Sequence, residues 1–272
     1  MESKQGGRPL GKRDAKARRQ ADSAAAISRH EPDFLIIGAA KCGTTSLYNY
    51  LIEHPDVAGA AAKELRFFDV KFHKGWDWYL AQFPERGVAQ LAGESSPNYI
   101  FDPSVPARVK AALPNVKLIV MLRNPVDRAY SQYTFRTRRL ETASFTDEMR
   151  ADLDRWQATG MAVEKVEGSP SYIARGIYVD QLERWFAHFP RNQFHIIRSE
   201  DLFEEPAPVF DAVLQFLDIR PWRPEQFRAF NAGTYETMER DIRELLARLY
   251  APHNRRLESL LGRSFDWDED ES

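Results

Sequence analysis

Three unbroken apolar runs organise the chain: Phe34-Leu35-Ile36-Ile37-Gly38, Val116 to Leu122 (VKLIVML), and Phe194-His195-Ile196-Ile197. A strand with one wet face alternates apolar and polar residues, so continuous runs predict strands buried on both faces. Helical spacing fills the intervals. Ser46 to His54 places Leu47, Tyr50 and Leu51 on one side and stops at Pro55. Val126 to Phe135 places Val126, Ala129, Tyr130 and Tyr133 together, and further helices are predicted over 105–112, 178–189, 207–217 and 240–261. Arg198-Ser199-Glu200-Asp201 closes the third run. Buried strands alternating with helices predict an α/β fold: a single domain with a central parallel β-sheet flanked by helices. The periodic pattern occupies residues 31–267. Residues 1–30 lack it and read as a disordered basic arm, and residues 268–272 read as an acidic tail.

Composition narrows the function classes. Among 272 residues, 38 Lys and Arg face 40 Asp and Glu, a net charge of −2. That balance argues against a dedicated nucleic-acid binder, which would carry a basic footprint. The positive charge gathers in residues 1–30, where eight basic and three acidic residues stand. The single cysteine, Cys42, excludes an internal disulfide and fits a reducing compartment. The six histidines pair neither with one another nor with Cys42 at a ligand spacing, so no metal is expected. No run of 18 apolar residues and no apolar leader segment occurs, which predicts a soluble, cytoplasmic protein without a membrane span. Oligomeric state is not legible.

The segment 34–54 reads as strand, loop, helix, the arrangement that cradles phosphate on the unpaired N–H groups and positive dipole end of a helix. Gly43 admits close backbone approach, Thr44, Thr45 and Ser46 offer hydroxyls, and Lys41 offers a point charge. The loop is P-loop-like but departs from G-x-x-x-x-G-K-[ST]: Gly38 and Gly43 keep the spacing, yet Thr44 stands where that motif has Lys. The VKLIVML run ends in Arg123 rather than in a metal-binding Asp. An arginine there suits a second phosphate, and a magnesium-bound nucleoside triphosphate is disfavoured.

Here the residues carry a family likeness. Lys41-Cys42-Gly43-Thr44-Thr45-Ser46-Leu47 resembles the 5′-phosphosulfate loop of sulfotransferases, and Arg123-Asn124-Pro125-Val126-Asp127-Arg128-Ala129-Tyr130-Ser131 resembles their 3′-phosphate motif. Lys63 to Asp69 (KELRFFD), His73 to Tyr79 (HKGWDWY), Glu94 to Tyr99 (ESSPNY) and Leu261 to Trp267 (LGRSFDW) resemble the heparan sulfate branch, in the same order across residues 33–267. Two departures stand out. Ser95 occupies a position where that branch has Lys, and Asn231 to Tyr235 is a shorter counterpart of its late cofactor loop, without Lys or Cys.

The resemblance implies a sulfuryl donor, 3′-phosphoadenylyl sulfate (PAPS), and no metal. It implies donor contacts from Lys41, Cys42, Gly43, Thr44, Thr45, Ser46, Arg123, Ser131, Tyr178, Gly233, Thr234 and Tyr235, with core packing equally open for Tyr178. It implies Lys41 and Glu64 as the catalytic pair, Lys41 for the leaving phosphate and Glu64 as base. A salt bridge from Glu64 to Lys63 or Arg66 is the plainer reading of that residue, and His54 and His73 are other candidate bases. His73, Trp76 and Glu94 are candidate contacts to the acceptor, with core packing open for Trp76. The acceptor class is a hydroxyl or amine of a saccharide, glycolipid or secondary metabolite. The cluster Arg136, Arg138 and Arg139 reads either as a solvated helix face or as a dock for an acidic acceptor. Two other classes remain open: a P-loop kinase-like phosphotransferase, and a module that binds PAPS or glycan without catalysis.

Overall fold

A computed structural model describes residues 31–85, 87, 89–138, 140, 143–159, 170–228, 230 and 238–267. Five strands form one sheet: β1 (Phe34–Gly38), β2 (Val57–Gly59), β3 (Leu91–Ser95), β4 (Lys117–Leu122) and β5 (Phe194–Arg198). They are ordered β2-β3-β1-β4-β5, and every pairing is parallel. The three apolar runs became β1, β4 and β5. All five residues of β1 are buried, as are the last five of β4, which is why neither run alternates; β5, at the sheet edge, has only Ile197 buried, so the expected burial on both faces does not hold there.

Nine α-helices are described: α1 (Thr44–Glu53), α2 (Trp76–Leu80), α3 (Val105–Ala112), α4 (Pro125–Thr137), α5 (Phe145–Ala158), α6 (Tyr178–Phe186), α7 (Ser199–Glu204), α8 (Pro206–Leu217) and α9 (Arg240–Leu261). The helices predicted over 105–112 and 240–261 coincide with α3 and α9. No helix among the described residues is long and apolar enough to cross a membrane.

Strands β2 and β3 escaped the sequence pattern. β2 has three residues, and β3 carries Gly93 and Glu94 at its centre, both against strand propensity. Packing overrides that propensity. Phe34 pairs with Gly93, and a Cβ on Gly93 would lie 2.4 Å from Phe34 Cζ, so only glycine lets the ring lie across the neighbouring strand.

The chain leaves β1 toward β2 and later crosses back to β4 on its other side. This reversal opens a crevice at the carboxyl ends of β1 and β4, the place where parallel sheets bind ligands. The turns β1–α1 and β4–α4 both open there.

Candidate active site

Residues 39–43 join β1 to α1 in a tight loop. Lys41 (φ 76°) and Gly43 (φ 84°) both take the left-handed conformation. Left-handed residues in such a loop turn successive N–H groups toward one concave side, a geometry that binds anions. Lys41 adopts it without glycine's freedom, a cost of about 1–3 kcal/mol that persists where the surroundings enforce it. The N-terminus of α1 has neither a side-chain cap nor an acidic residue in its first turn, so its positive end stays uncompensated.

The second turn is built differently. Asn124 caps α4, its Oδ1 accepting from Val126 N at 3.0 Å, with Pro125 in the first turn. Glu200 of α7 accepts the Asn124 N–H at 2.8 Å, and buried Tyr178 donates to the Arg123 carbonyl at 2.9 Å. The backbone at Arg123 is therefore fixed from two elements, while its guanidinium reaches out over the Phe203 ring at 5.7 Å.

The two turns share one cavity of about 640 Å³. Of the expected residues, Lys41, Gly43, Thr44, Thr45, Ser46, Glu64, Arg123 and Ser131 line it. Gln132, Phe135, Arg136, Asn98 and Arg175 extend it, and Tyr50, Phe203, Phe227 and Phe230 give it an aromatic portion. Arg136 thus turns inward from its basic cluster; it donates to Tyr172 Oη at 2.8 Å. Arg139 lies outside the described residues.

The cavity is strongly cationic. Burial holds the Lys41 ammonium at a pKa of about 8, helped by Arg138, Arg123 and Arg128. Its Nζ rests over the Phe135 ring, 4.1 Å from the centroid. Arg128 is fully buried and bonds to Gln132 Oε1 at 2.7 Å and to the Tyr172 carbonyl at 2.6 Å. Both acceptors are neutral and its buried Nε has no partner, so its charge is not neutralised and its field reaches the cavity.

Glu64 sits in the segment between β2 and α2. Its backbone is left-handed (φ 60°), its N–H donates to Ser95 O at 3.0 Å, and Lys63 Nζ lies 3.0 Å from its Oε1. The expected pairing with Lys63 is present, and Glu64 still lines the cavity.

Four expectations need correction. Cys42 is wholly buried: its thiol faces Tyr178 Oη at 3.8 Å and its N–H donates to Ala39 O, leaving nothing for a donor molecule. Burial also pushes that thiol above its ordinary pKa. Tyr178 is likewise buried behind the cavity wall and acts on it through the Arg123 carbonyl. Glu94 is not an acceptor contact, because its carboxylate is enclosed by Tyr79, Tyr99 and Ser96. His73 stands on an exposed turn of residues 72–74 outside the cavity lining, and Trp76 takes the packing role left open for it, against Tyr79 at 5.2 Å. Among other candidates, His54 is buried beside Trp222, with its ring nitrogens engaged by Asp56 N and Arg220 O. Gly233, Thr234 and Tyr235 lie outside the described residues.

Residues 31–239 match the Sulfotransferase domain family. The chain is 31% identical to the heparan sulfate glucosamine 3-O-sulfotransferase 3B1 of Mus musculus, over 89% of this chain and 66% of that protein. It is 30% identical to the bifunctional heparan sulfate N-deacetylase/N-sulfotransferase 3 of Homo sapiens, over 85% of this chain and 30% of that protein. The chain thus spans just under two thirds of the length of the 3-O-sulfotransferase. A sulfotransferase structure from Alicyclobacillus acidocaldarius superposes with a TM-score of 0.74 at 33% identity, covering 87% of this chain and 98% of that one.

Proposed function

The chain belongs to the sulfotransferase domain family, and from that membership we propose that it moves a sulfuryl group from PAPS to a saccharide hydroxyl or amine. One observation carries the reading. A cationic, uncapped helix start with Lys41 and a strand-ending Arg123 with Ser131 open into the same cavity, beside an aromatic portion fit for an adenine ring. Two separated phosphate-binding sets joined by an apolar surface match a nucleoside 3′,5′-bisphosphate. Thr44 in place of a Walker lysine, and Arg123 in place of a strand-ending acid, argue against phosphoryl transfer from a magnesium nucleotide.

Sulfuryl transfer between oxygens asks for alignment and charge stabilisation. The acceptor oxygen bonds to sulfur while the bond from sulfur to the 5′-phosphate oxygen breaks. The acceptor proton passes to the Glu64 carboxylate. The electron pair leaves with adenosine 3′,5′-bisphosphate, where Lys41 meets the growing charge. Arg123 and Ser131 hold the 3′-phosphate, Arg123 through its two-pronged guanidinium. The saccharide acceptor is supported by the names of the relatives, which act on heparan sulfate glucosamine. A cytoplasmic location is part of the proposal, supported by the lone, buried Cys42 thiol.

The test pairs binding with turnover. Wild-type protein with PAPS and a glucosamine-containing oligosaccharide should yield a product heavier by one SO₃ in mass spectrometry. Glu64→Gln should bind adenosine 3′,5′-bisphosphate normally and lose about 10²- to 10⁴-fold in turnover of a hydroxyl acceptor, the range of a positioned base. Near-wild-type turnover by Glu64→Gln would remove Glu64 from that role.

A further inference from the structure

We propose that Glu94 is a positioning residue: through Tyr99 and Ser96 its carboxylate fixes the backbone that carries Glu64. The inference rests on the reading of Glu64 as base, and it starts from a group that the transfer reaction leaves unused. Glu94 lies in β3 opposite Leu35 and is 0% exposed. A buried carboxylate is costly unless fully hydrogen-bonded. Here Tyr79 Oη and Tyr99 Oη donate to Oε1 at 2.7 and 3.0 Å, and Ser96 Oγ donates to Oε2 at 2.8 Å.

Each hydroxyl has a single hydrogen. Tyr99 and Ser96 give theirs to Glu94, so their lone pairs face the other way. There Tyr99 Oη accepts the N–H groups of Phe67 and Phe68 at 2.8 and 3.3 Å, and Ser96 Oγ accepts that of Arg66 at 3.1 Å. Three consecutive amides beyond Glu64 are thus held by oxygens whose orientation Glu94 dictates. The Glu64 N–H itself donates to Ser95 O, the residue after Glu94. This segment needs the support. Glu64 (φ 60°) and Arg66 (φ 57°) are both left-handed non-glycine residues, a conformation that endures only where the surroundings over-determine it.

The relay depends on the charge of Glu94. Its oxygens receive three hydroxyl hydrogens, and a proton turns one oxygen into a donor, so a neighbouring hydroxyl must turn its own hydrogen away to accept from it. The groups facing Glu94 are Tyr79 of α2, Tyr99 and Ser96 of the β3–α3 connection, Tyr48 of α1, and Asp69, whose charge is paired with Arg66 at 2.5 Å. Burial raises the Glu94 pKa to about 7, so the proton arrives near neutral pH.

Four variants separate the possibilities: Glu94→Gln, Tyr99→Phe, Tyr79→Phe and Glu64→Gln. Glu94→Gln and Tyr99→Phe should lower kcat by about 10- to 100-fold, the scale of a misplaced catalytic group. Calorimetric binding of adenosine 3′,5′-bisphosphate should stay within about twofold of wild type. Tyr79→Phe removes a donor to Glu94 but no bond to the loop amides, so it should lose less than Tyr99→Phe. Wild-type kcat should fall as pH drops through about 7, and Glu94→Gln should lack that limb. Amide hydrogen exchange over 64–68 should quicken in Glu94→Gln while exchange over 44–50 stays unchanged. If Glu64→Gln abolishes turnover while Glu94→Gln and Tyr99→Phe keep wild-type kcat and its acid limb, the positioning role is overturned and the base stands. If Glu64→Gln retains turnover, the base reading fails, and unaltered exchange at 64–68 in Glu94→Gln would overturn the positioning of that segment as well. Should Glu94→Gln fail to fold, Tyr99→Phe carries the comparison.

Discussion

Donor affinity should fall above pH 8, and Lys41 is the reason. Its ammonium sits beside Phe135 in the field of Arg138, Arg123 and Arg128, and burial with those charges lowers its pKa to about 8. A phosphate placed beside it favours the charged form and raises that pKa. Binding therefore takes up a proton wherever the free protein lacks one. At about pH 8 half the molecules must gain a proton, and at pH 9 about nine in ten must, so affinity drops by close to tenfold between pH 7 and 9. The second ionisation of a phosphate monoester, near pH 6, is about nine-tenths complete at pH 7 and adds little to the slope above it. The Cys42 thiol is pushed upward, away from this window, while burial lowers the cavity-lining Arg175 only to about 10.

Calorimetric titration with adenosine 3′,5′-bisphosphate from pH 7 to 9.5, in two buffers of different ionisation heat, reads both the affinity and the protons taken up. Uptake should be about half a proton at pH 8 and approach one by pH 9.5. Lys41→Met keeps an unbranched side chain, one atom shorter, and removes the charge, so its affinity should be lower and lose the slope centred on pH 8. An unvarying wild-type affinity, or the same slope in Lys41→Met, would refute the account.

Arg123→Ala should weaken bisphosphate binding by about 2–3 kcal/mol, the scale of a lost charge-assisted pair. It should affect adenosine 5′-phosphosulfate, which lacks the 3′-phosphate, far less, and equal losses in calorimetry would place Arg123 elsewhere. Gly43→Ala adds a Cβ 2.8 Å from Phe203 Cε1 at φ 84°. The exposed Phe203 ring can yield, so the backbone sets the cost, about 1–2 kcal/mol. Reduced donor affinity with a modest fall in Tm is expected, and unchanged affinity would show that this loop is not the phosphate cradle.

The main elements were legible because burial on both faces leaves no room for polar alternation. Phe34–Gly38 and the run before Arg123 had to be strands, and the loop after the first had to open at their carboxyl ends. β3 was not legible, since its centre is Gly93 and Glu94, each explained only by a partner distant in sequence: Phe34 across the sheet, and Tyr79 and Tyr99 around the carboxylate. Residues at Arg128, Ser131, Gln132 and Phe135 follow helical i, i+3, i+4, i+7 spacing, and the last three line the cavity. That stripe was present in the sequence, but a glutamine and a phenylalanine carry no phosphate signature. Arg175 and Asn98 come from separate loops and meet at 2.8 Å, which no local pattern announces.

The misplaced residues share a physical logic. Cys42, Tyr178 and Glu94 fall inside or beside motifs, yet each is buried one layer behind the cavity. A group that touches ligand must spare a donor, acceptor or charge for it; these three spend theirs on protein. Tyr178 gives its hydrogen to the Arg123 carbonyl, Cys42 gives its carbonyl to Ser199 Oγ at 2.9 Å, and Glu94 collects three hydroxyls. The front layer shows the opposite economy. The α1 start is uncapped, and Lys41 and Arg123 line the cavity with buried Arg128 behind them, bonded to neutral oxygens that leave its charge standing. Like charges gathered this way repel one another, and the hydrogen bonds behind them fix the backbone at Arg123 and Asn124. Replacing a back-layer group should therefore misplace the front layer without changing its charge, whereas replacing Lys41 or Arg123 changes the charge without moving the frame.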